Sequence, residues 1–159
     1  MMRMTLCVLL LCGSAAWADP LSEMAGAWSG SGWARETLDG PKESIRCRLD
    51  NTYDAEVIAI KGRCAVPGRK LTLSGEIKRD GASDKISGHW FNPDGLGSVR
   101  ISGVQRGDII AFTFRAKDPE TGHDIAQNVE WRVSPDALHL RAADRANPDA
   151  LMSDIAFTR

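Results

Sequence analysis

Apolar and polar residues alternate with a period of two through most of this chain, and this pattern constrains its fold more than any other feature. Leu71, Leu73 and Ile77 share one side of a predicted strand, while Thr72 and Glu76 lie on the other. Strands alternate in this way when one face of a sheet covers a core and the other meets water. The same pattern predicts strands at 28–35, 44–50, 56–65, 70–79, 85–92, 97–105, 109–117, 128–133, 137–143 and 152–158.

Turn signals separate these segments. Val66-Pro67-Gly68-Arg69 predicts a type II turn, because proline fixes φ at the second position and glycine accepts a positive φ at the third. Similar signals stand at Asp80-Gly81, Pro93-Asp94-Gly95, Arg106-Gly107 and Pro135-Asp136.

Ten strands cannot remain a flat open sheet, so we expect an all-β single antiparallel meander that closes into a barrel of about eight to ten strands. A longer polar loop is expected at 117–126, and residues 144–151 have room for one helical turn.

Three glycines follow an apolar-Ser pattern on the predicted core face. Gly75, Gly88 and Gly103 each fall on that face, where a glycine lets a strand bend sharply. Core-facing glycines of this kind recur at the bends of barrels, so we interpret them as architecture. Room for a bound ligand is the alternative.

The first 18 residues resemble an export signal. Arg3 gives a positive start, residues 5–11 form an apolar run, and Ala16-Trp17-Ala18 matches a small-x-small cleavage site. The run is too short for a membrane span, which needs about 20 residues, and no later run approaches that length. The sequence therefore predicts a cleaved Sec-type signal peptide at 1–18 and a single domain at 19–159, in a bacterial protein that is periplasmic or secreted.

Charge and motifs exclude several classes of function. The net charge is −1, which gives no basic field for nucleic acid. No acid–base pair or activated nucleophile stands out, so we expect a protein that is not an enzyme. We expect no cofactor and no metal; the acidic loop around Asp118, Glu120 and His123 lacks the regular oxygen spacing of a calcium loop. The sequence leaves the oligomeric state undetermined.

Two cysteines, Cys47 and Cys64, remain outside the predicted signal peptide. In an oxidising compartment a pair of this kind is expected to form a disulfide, whereas a metal or redox pair would favour a CxxC motif or a nearby histidine. If the two residues face each other in a hairpin, the turn lies at Asp54-Ala55-Glu56, and Leu49 faces Gly62 on the core side.

The start of the first predicted strand carries the tripeptide Gly26-Ala27-Trp28. In an exported β-meander this resembles the signature of the calycins, the lipocalin, avidin and fatty-acid-binding type of barrel. The resemblance implies that a basic residue near the chain end packs across the tryptophan at the closed base, and Arg159 has the matching parity. It implies nothing about ligand identity, because neither a second lipocalin motif nor a biotin-type polar set is present.

Aromatic residues on the predicted inner face are the first candidate binding site. Aromatic side chains inside a barrel can hold a small hydrophobic or amphipathic ligand, or they can fill a small barrel completely. The inward set consists of Trp28, Trp90, Trp131, Phe112 and Phe114.

A basic cluster on the predicted outer face is the second candidate. In the hairpin register Arg48 faces Arg63, with Arg46 and Lys61 beside them, and Lys70 extends the cluster next to Ala65. Together with the outward Trp33, this patch would suit an anion or an envelope protein, as an interaction or inhibitor module would require. The alternative is a solubilising surface on which Asp50 pairs with Lys61.

Overall fold

The computed structural model describes residues 19–92, 97–119 and 121–159. The predicted signal peptide, the turn at 93–95 and Glu120 lie outside these residues. The elements are α1 (Pro20–Glu23), β1 (Gly26–Ala34), β2 (Glu43–Asp54), β3 (Val57–Val66), β4 (Arg69–Arg79), β5 (Lys85–Asn92), β6 (Gly97–Arg106), β7 (Ile109–Lys117), β8 (Asp124–Val133), β9 (Ala137–Asp144) and β10 (Leu151–Thr158).

The ten strands form a closed antiparallel barrel. Each strand pairs with its neighbours in sequence, and β1 also pairs with β10, so the sheet has no free edge. This confirms the predicted all-β meander. Closure satisfies the hydrogen-bonding groups that the outer strands of an open sheet would expose.

The predicted inner face forms the core. Along β2, Ile45, Cys47 and Leu49 are buried while the residues between them are exposed. Cys47 pairs with Cys64, Leu49 pairs with Gly62, and the two sulfurs form a disulfide, as predicted. Ala55 and Glu56 form the intervening turn with positive φ angles, where the hairpin register placed it.

The repeated glycines allow neighbouring strands to approach closely. A Cβ atom at Gly88 would collide with the carbonyl oxygen of Glu76, and one at Gly103 would collide with that of Ala111. The Trp90 ring lies against Gly75. These contacts agree with the architectural interpretation, because any side chain at these positions would force the strands apart.

Several boundaries differ from the prediction. β8 begins at Asp124 rather than at 128, because Ile125 and Asp124 continue the ladder opposite Ala116 and Lys117. β2 extends to Asp54 rather than 50. Residues 145–150 contain turns and bends, not a helical turn.

The short helix α1 was missed by the prediction. Asp19 caps it by accepting a hydrogen bond from the Leu21 backbone N–H, and Pro20 occupies its first position. An Asp followed by Pro is a helix-start signal, but a single turn has no 3.6-residue periodicity to reveal it.

α1 lies at the end of the barrel where β1 begins, which we call the base. We call the opposite end, where β1 leads into β2, the mouth.

Candidate functional site

Trp28 and Arg159 seal the base. The Trp28 Nε1 donates a hydrogen bond to the Met24 carbonyl at 2.9 Å, and the Asn51 Nδ2 donates to the same oxygen at 3.0 Å. The Arg159 guanidinium lies 4.2 Å from the centre of the Trp28 ring. Arg159 also donates to the carbonyls of Glu23, Ala25 and Pro135. The contact that the calycin resemblance implied is therefore present; membership of that group stays a prediction.

Asp19 ties α1 to the strands around it. Its carboxylate accepts a hydrogen bond of 2.9 Å from the Tyr53 hydroxyl and one of 3.3 Å from the Gln105 amide, and it forms an ion pair with Arg79. Burial, then the hydrogen bond and negative charge of Asp19, raise the pKa of Tyr53 above its ordinary value of 10.0. All three partners have inward parity at the base, so this network ties α1 to the strands there; Asp19, Arg79 and Gln105 also line a surface depression of about 880 Å³.

The inward aromatic residues pack into the core. Trp28, Trp131 and Phe112 are at most 2% exposed, Phe114 is 6% exposed, and Trp90 is half-buried. Trp90 lies 6.2 Å from Phe112 between ring centres. The structure therefore joins Trp90 to Phe112 and leaves Trp90 as the most accessible member of the predicted ligand-binding set.

The largest depression described in the surface lies outside the barrel. It is a groove of about 930 Å³ that crosses β10, β1, β2, β3 and β4. Four of its lining residues are cations, and we call it the basic groove: Arg46, Arg48, Arg63 and Lys70. Among the described residues, Trp28, Trp90, Trp131 and Phe114 line neither this groove nor four smaller depressions of about 370 to 880 Å³.

The strand register places the four cations together. Arg48 pairs with Arg63, Arg46 pairs with Ala65, and Ala65 pairs on its other side with Lys70. All of these residues are exposed. Adjacent strands are about 4.8 Å apart, so Arg46 and Lys70 stand roughly 10 Å apart across Ala65 at the backbone. The sequence arithmetic that predicted this patch is therefore confirmed in its register.

Among the described residues, no carboxylate neutralises the positive charge of this groove. Within residues 19–92, 97–119 and 121–159, none of the four cations forms an ion pair. The Asp50–Lys61 ion pair of the alternative interpretation is not formed in the structure either. Like charges directly opposite each other in a sheet are destabilising, so the Arg48–Arg63 pair lowers the stability of the free protein slightly.

The other two members of the predicted patch lie beside the groove. Lys61 lines an adjoining depression of about 660 Å³ that Arg48 and Arg63 share. Trp33 is half-buried on the outer face of β1, and the Lys42 Nζ lies 3.9 Å from its ring centre. The structure therefore joins Lys61 to the cations, and it leaves Trp33 outside the lining of both depressions.

Sequence reasoning missed the far side of the groove. Ser29, Ser31, Ala156 and Thr158 line it as well, because Ser29 pairs with Thr158 and Ser31 with Ala156. This contact exists only because β10 closes the barrel onto β1. A pairing between the first and last strands has no local sequence signal.

The described residues also bear on a metal site and on a membrane span. No group of three or more His, Cys, Asp or Glu side chains is arranged to hold a metal ion there. In the polar loop the described Asp118 accepts a hydrogen bond from the Thr121 backbone, and Asp124 pairs with Lys117. Within the part of the chain that the structure covers, α1 is far shorter than a membrane-crossing helix.

Comparison with known proteins gives the fold and no more. No protein-family model matches the chain, and no curated protein matches it. Among solved structures it is similar to Rv2717c from M. tuberculosis, with a TM-score of 0.65 and 15% sequence identity over 87% of this chain and 94% of that one. At this identity the likeness supports the barrel architecture, and it assigns neither ligand nor activity.

Proposed function

We propose that this protein is an exported, non-catalytic binding protein that acts through the basic groove on its outer surface. The observation that carries the proposal is the set of four clustered cations, Arg46, Arg48, Arg63 and Lys70, that have no carboxylate partner in the described structure. The disulfide supports export, since such bonds persist in oxidising compartments.

The energetics of the cluster favour an anionic partner. The protein keeps two arginines directly opposite each other, at a small cost in stability. An anion between them would offset the repulsion and add charge-assisted hydrogen bonds. Binding that depends on such contacts weakens as salt screens exposed charges.

The proposal is tested by calorimetric titration with inorganic tripolyphosphate at low salt. We expect the signal-cleaved protein to bind, and the double variant Arg48→Glu/Arg63→Glu to lose at least about tenfold in affinity, a difference of about 1.4 kcal/mol. The matched control is Arg100→Glu/Arg115→Glu, which changes the net charge equally on β6 and β7, away from the groove. An equal loss in both variants, or no binding by the parent protein, would overturn the proposal. Circular dichroism checks that each variant folds.

A small apolar ligand near the mouth is a second candidate function. It is favoured by half-buried apolar side chains that pack against the core, among them Trp90, Leu71 and Leu73. In this case Trp90 would contact the ligand, and the other members of the predicted set, Trp28, Trp131, Phe112 and Phe114, would lie in the core beneath it. Native mass spectrometry of protein purified from its own envelope fraction separates the two candidates. An adduct that denaturation releases, and that Trp90→Ala removes, supports the inner site, whereas a bare polypeptide mass counts against it.

The same spectrum tests export. We propose cleavage between Ala18 and Asp19, so that the intact mass should correspond to residues 19–159. A mass that retains residues 1–18 would contradict a cleaved signal peptide.

A further inference from the structure

We infer that the basic groove holds the phosphate ester of a polyol, with the phosphate seated over Ala65 and the polyol along the hydroxyls of β1 and β10. This inference rests on the proposed function and names its ligand class. Two features of the groove carry it: a cation-ringed hollow at one end, and a row of hydroxyl groups at the other.

The hollow is centred on Ala65. Its cross-strand neighbours are Arg46 on β2 and Lys70 on β4. Arg63 lies two residues away on the same strand, about 6.8 Å along it, and points to the same face. A methyl group surrounded by three long cationic side chains leaves a depression that their heads can close over. One compact anion can therefore reach all three.

Phosphate suits this arrangement better than a single carboxylate. A phosphate monoester carries a charge of about −1.5 to −2 at neutral pH and three acceptor oxygens. An arginine presents a planar fork of donors that matches two of these oxygens, and a lysine adds a compact charge. A carboxylate has one charge and two oxygens, so it would leave part of the ring unneutralised.

The opposite end of the groove is neutral and hydroxylated. Ser29, Ser31 and Thr158 lie on adjoining strands, and none of these side chains makes a hydrogen bond to another described residue. Ala156 and the backbone at Gly30 keep the floor low between them. A serine or threonine hydroxyl both donates and accepts, so this row matches the hydroxyls of a sugar or glycerol unit.

The two ends are separated by a distance that one small ligand can span. Ala65 pairs with Arg46 and Arg46 pairs with Ser31, so the centre of the hollow and the nearest hydroxyl lie two strand spacings apart, about 9.6 Å. Arg48 pairs with Ser29 in the same way. The phosphate and the polyol of one molecule can therefore occupy both ends at once, which a simple anion such as inorganic phosphate cannot do.

The test uses glucose-6-phosphate, inorganic phosphate and glucose as calorimetric probes. We expect glucose-6-phosphate to bind about tenfold more tightly than inorganic phosphate, and glucose alone to bind too weakly to measure. Ser29→Ala/Ser31→Ala should reduce glucose-6-phosphate to the affinity of inorganic phosphate. Equal affinity for both phosphates in the parent protein would overturn the assignment of a polyol.

The hollow itself is tested by Ala65→Leu, which fills it without changing any charge. Its control is Ala59→Leu, the same substitution on the outer face of the same strand but outside the groove. We expect only Ala65→Leu to weaken glucose-6-phosphate at least about tenfold, while tripolyphosphate binding persists in both. If Ala65→Leu binds glucose-6-phosphate like the parent, this inference fails and the proposed function stands. If Arg48→Glu/Arg63→Glu still binds tripolyphosphate, both fail.

The source of the ligand is settled by vesicle binding. Phosphatidylglycerol vesicles present a phosphate ester of glycerol, and phosphatidylcholine vesicles serve as the zwitterionic control. Binding to the former that Ala65→Leu abolishes assigns the ligand to a lipid headgroup, whereas binding of glucose-6-phosphate alone assigns it to a soluble sugar phosphate. Vesicle binding that Ala65→Leu leaves unchanged would count against the hollow.

Discussion

The base and the basic groove are built from the same barrel strands, but charged side chains have partners within the protein at the base and lack carboxylate partners in the groove. At the base, the Asp19 carboxylate meets Arg79, Tyr53 and Gln105, and Arg159 donates to three backbone carbonyls. In the groove, Arg48 and Arg63 face each other without a carboxylate partner in the described residues.

This difference separates stability from binding. At the base, Asp19 and Arg159 already have hydrogen-bonding partners within the protein, so they gain little from a ligand. Cations left without partners lower stability slightly and can gain from one. Substitutions at the base should therefore destabilise the protein without affecting anion binding, and substitutions in the groove should do the reverse.

The largest effect is expected from Trp28→Ala. Removing this fully buried side chain at the base should lower the free energy of unfolding by about 3–5 kcal/mol. The substitution leaves a cavity, and it removes the hydrogen bond to the Met24 carbonyl and the ring against which Arg159 packs. Urea unfolding measures the change. Trp33→Ala is the control on the outer face of the same strand and should cost far less. Equal losses in the two variants would contradict the assignment of Trp28 as the anchor of the base.

Loss of the disulfide should come next. Cys47→Ala/Cys64→Ala opens a link between residues 17 apart, which should cost about 3 kcal/mol. The disulfide lies beneath the groove, so the same variant tests whether the floor positions the cations. We expect tripolyphosphate affinity to stay close to that of the parent once the protein is folded, since β2 and β3 remain paired through their ladder. A large loss of affinity would show that stability and binding are coupled here.

A pH titration should give a smaller effect at the base. The raised pKa of Tyr53 means that the folded state keeps its phenolic proton after the unfolded chain has lost it. The resulting stabilisation is complete below pH 10 and falls as pH rises through the folded pKa. Tyr53 is the single tyrosine of the sequence, so its phenolate absorbance reports the titration directly. Tyr53→Phe is the control: it should remove this component of the pH dependence. Ionisation at or below the ordinary value would contradict the hydrogen bond to Asp19.

The smallest effect is a gain. Arg48→Glu replaces a like-charge pair by an opposite-charge pair across β2 and β3, and should stabilise the protein by about 0.2–1 kcal/mol. Anion binding should fall in the same variant. Thermal unfolding with and without tripolyphosphate measures both quantities. A variant that gains stability and also keeps its affinity would remove the contrast between the two regions.

Much of the barrel was predictable because its information is local. Alternation placed Leu71, Leu73 and Ile77 on one face, and hairpin arithmetic placed Arg48 opposite Arg63. The start of β8 was not predictable in this way, because Ile125 joins the sheet through its partner Ala116 rather than through a strong pattern of its own. α1 was missed since one turn carries no period.

The sequence by itself determined which residues face inward, which cysteines join and which cations share the outer face of the β2–β3 hairpin. These features depend on neighbours a few residues apart, where a period of two and a tight turn fix the register. The tertiary structure alone decided that β10 closes onto β1, which brings Thr158 and Ala156 beside Ser29 and Ser31 and turns a basic patch into a groove. It also decided that Asp19 meets Tyr53, Arg79 and Gln105. Both arrangements join residues far apart in the chain, and only the burial of one common core brings such residues together.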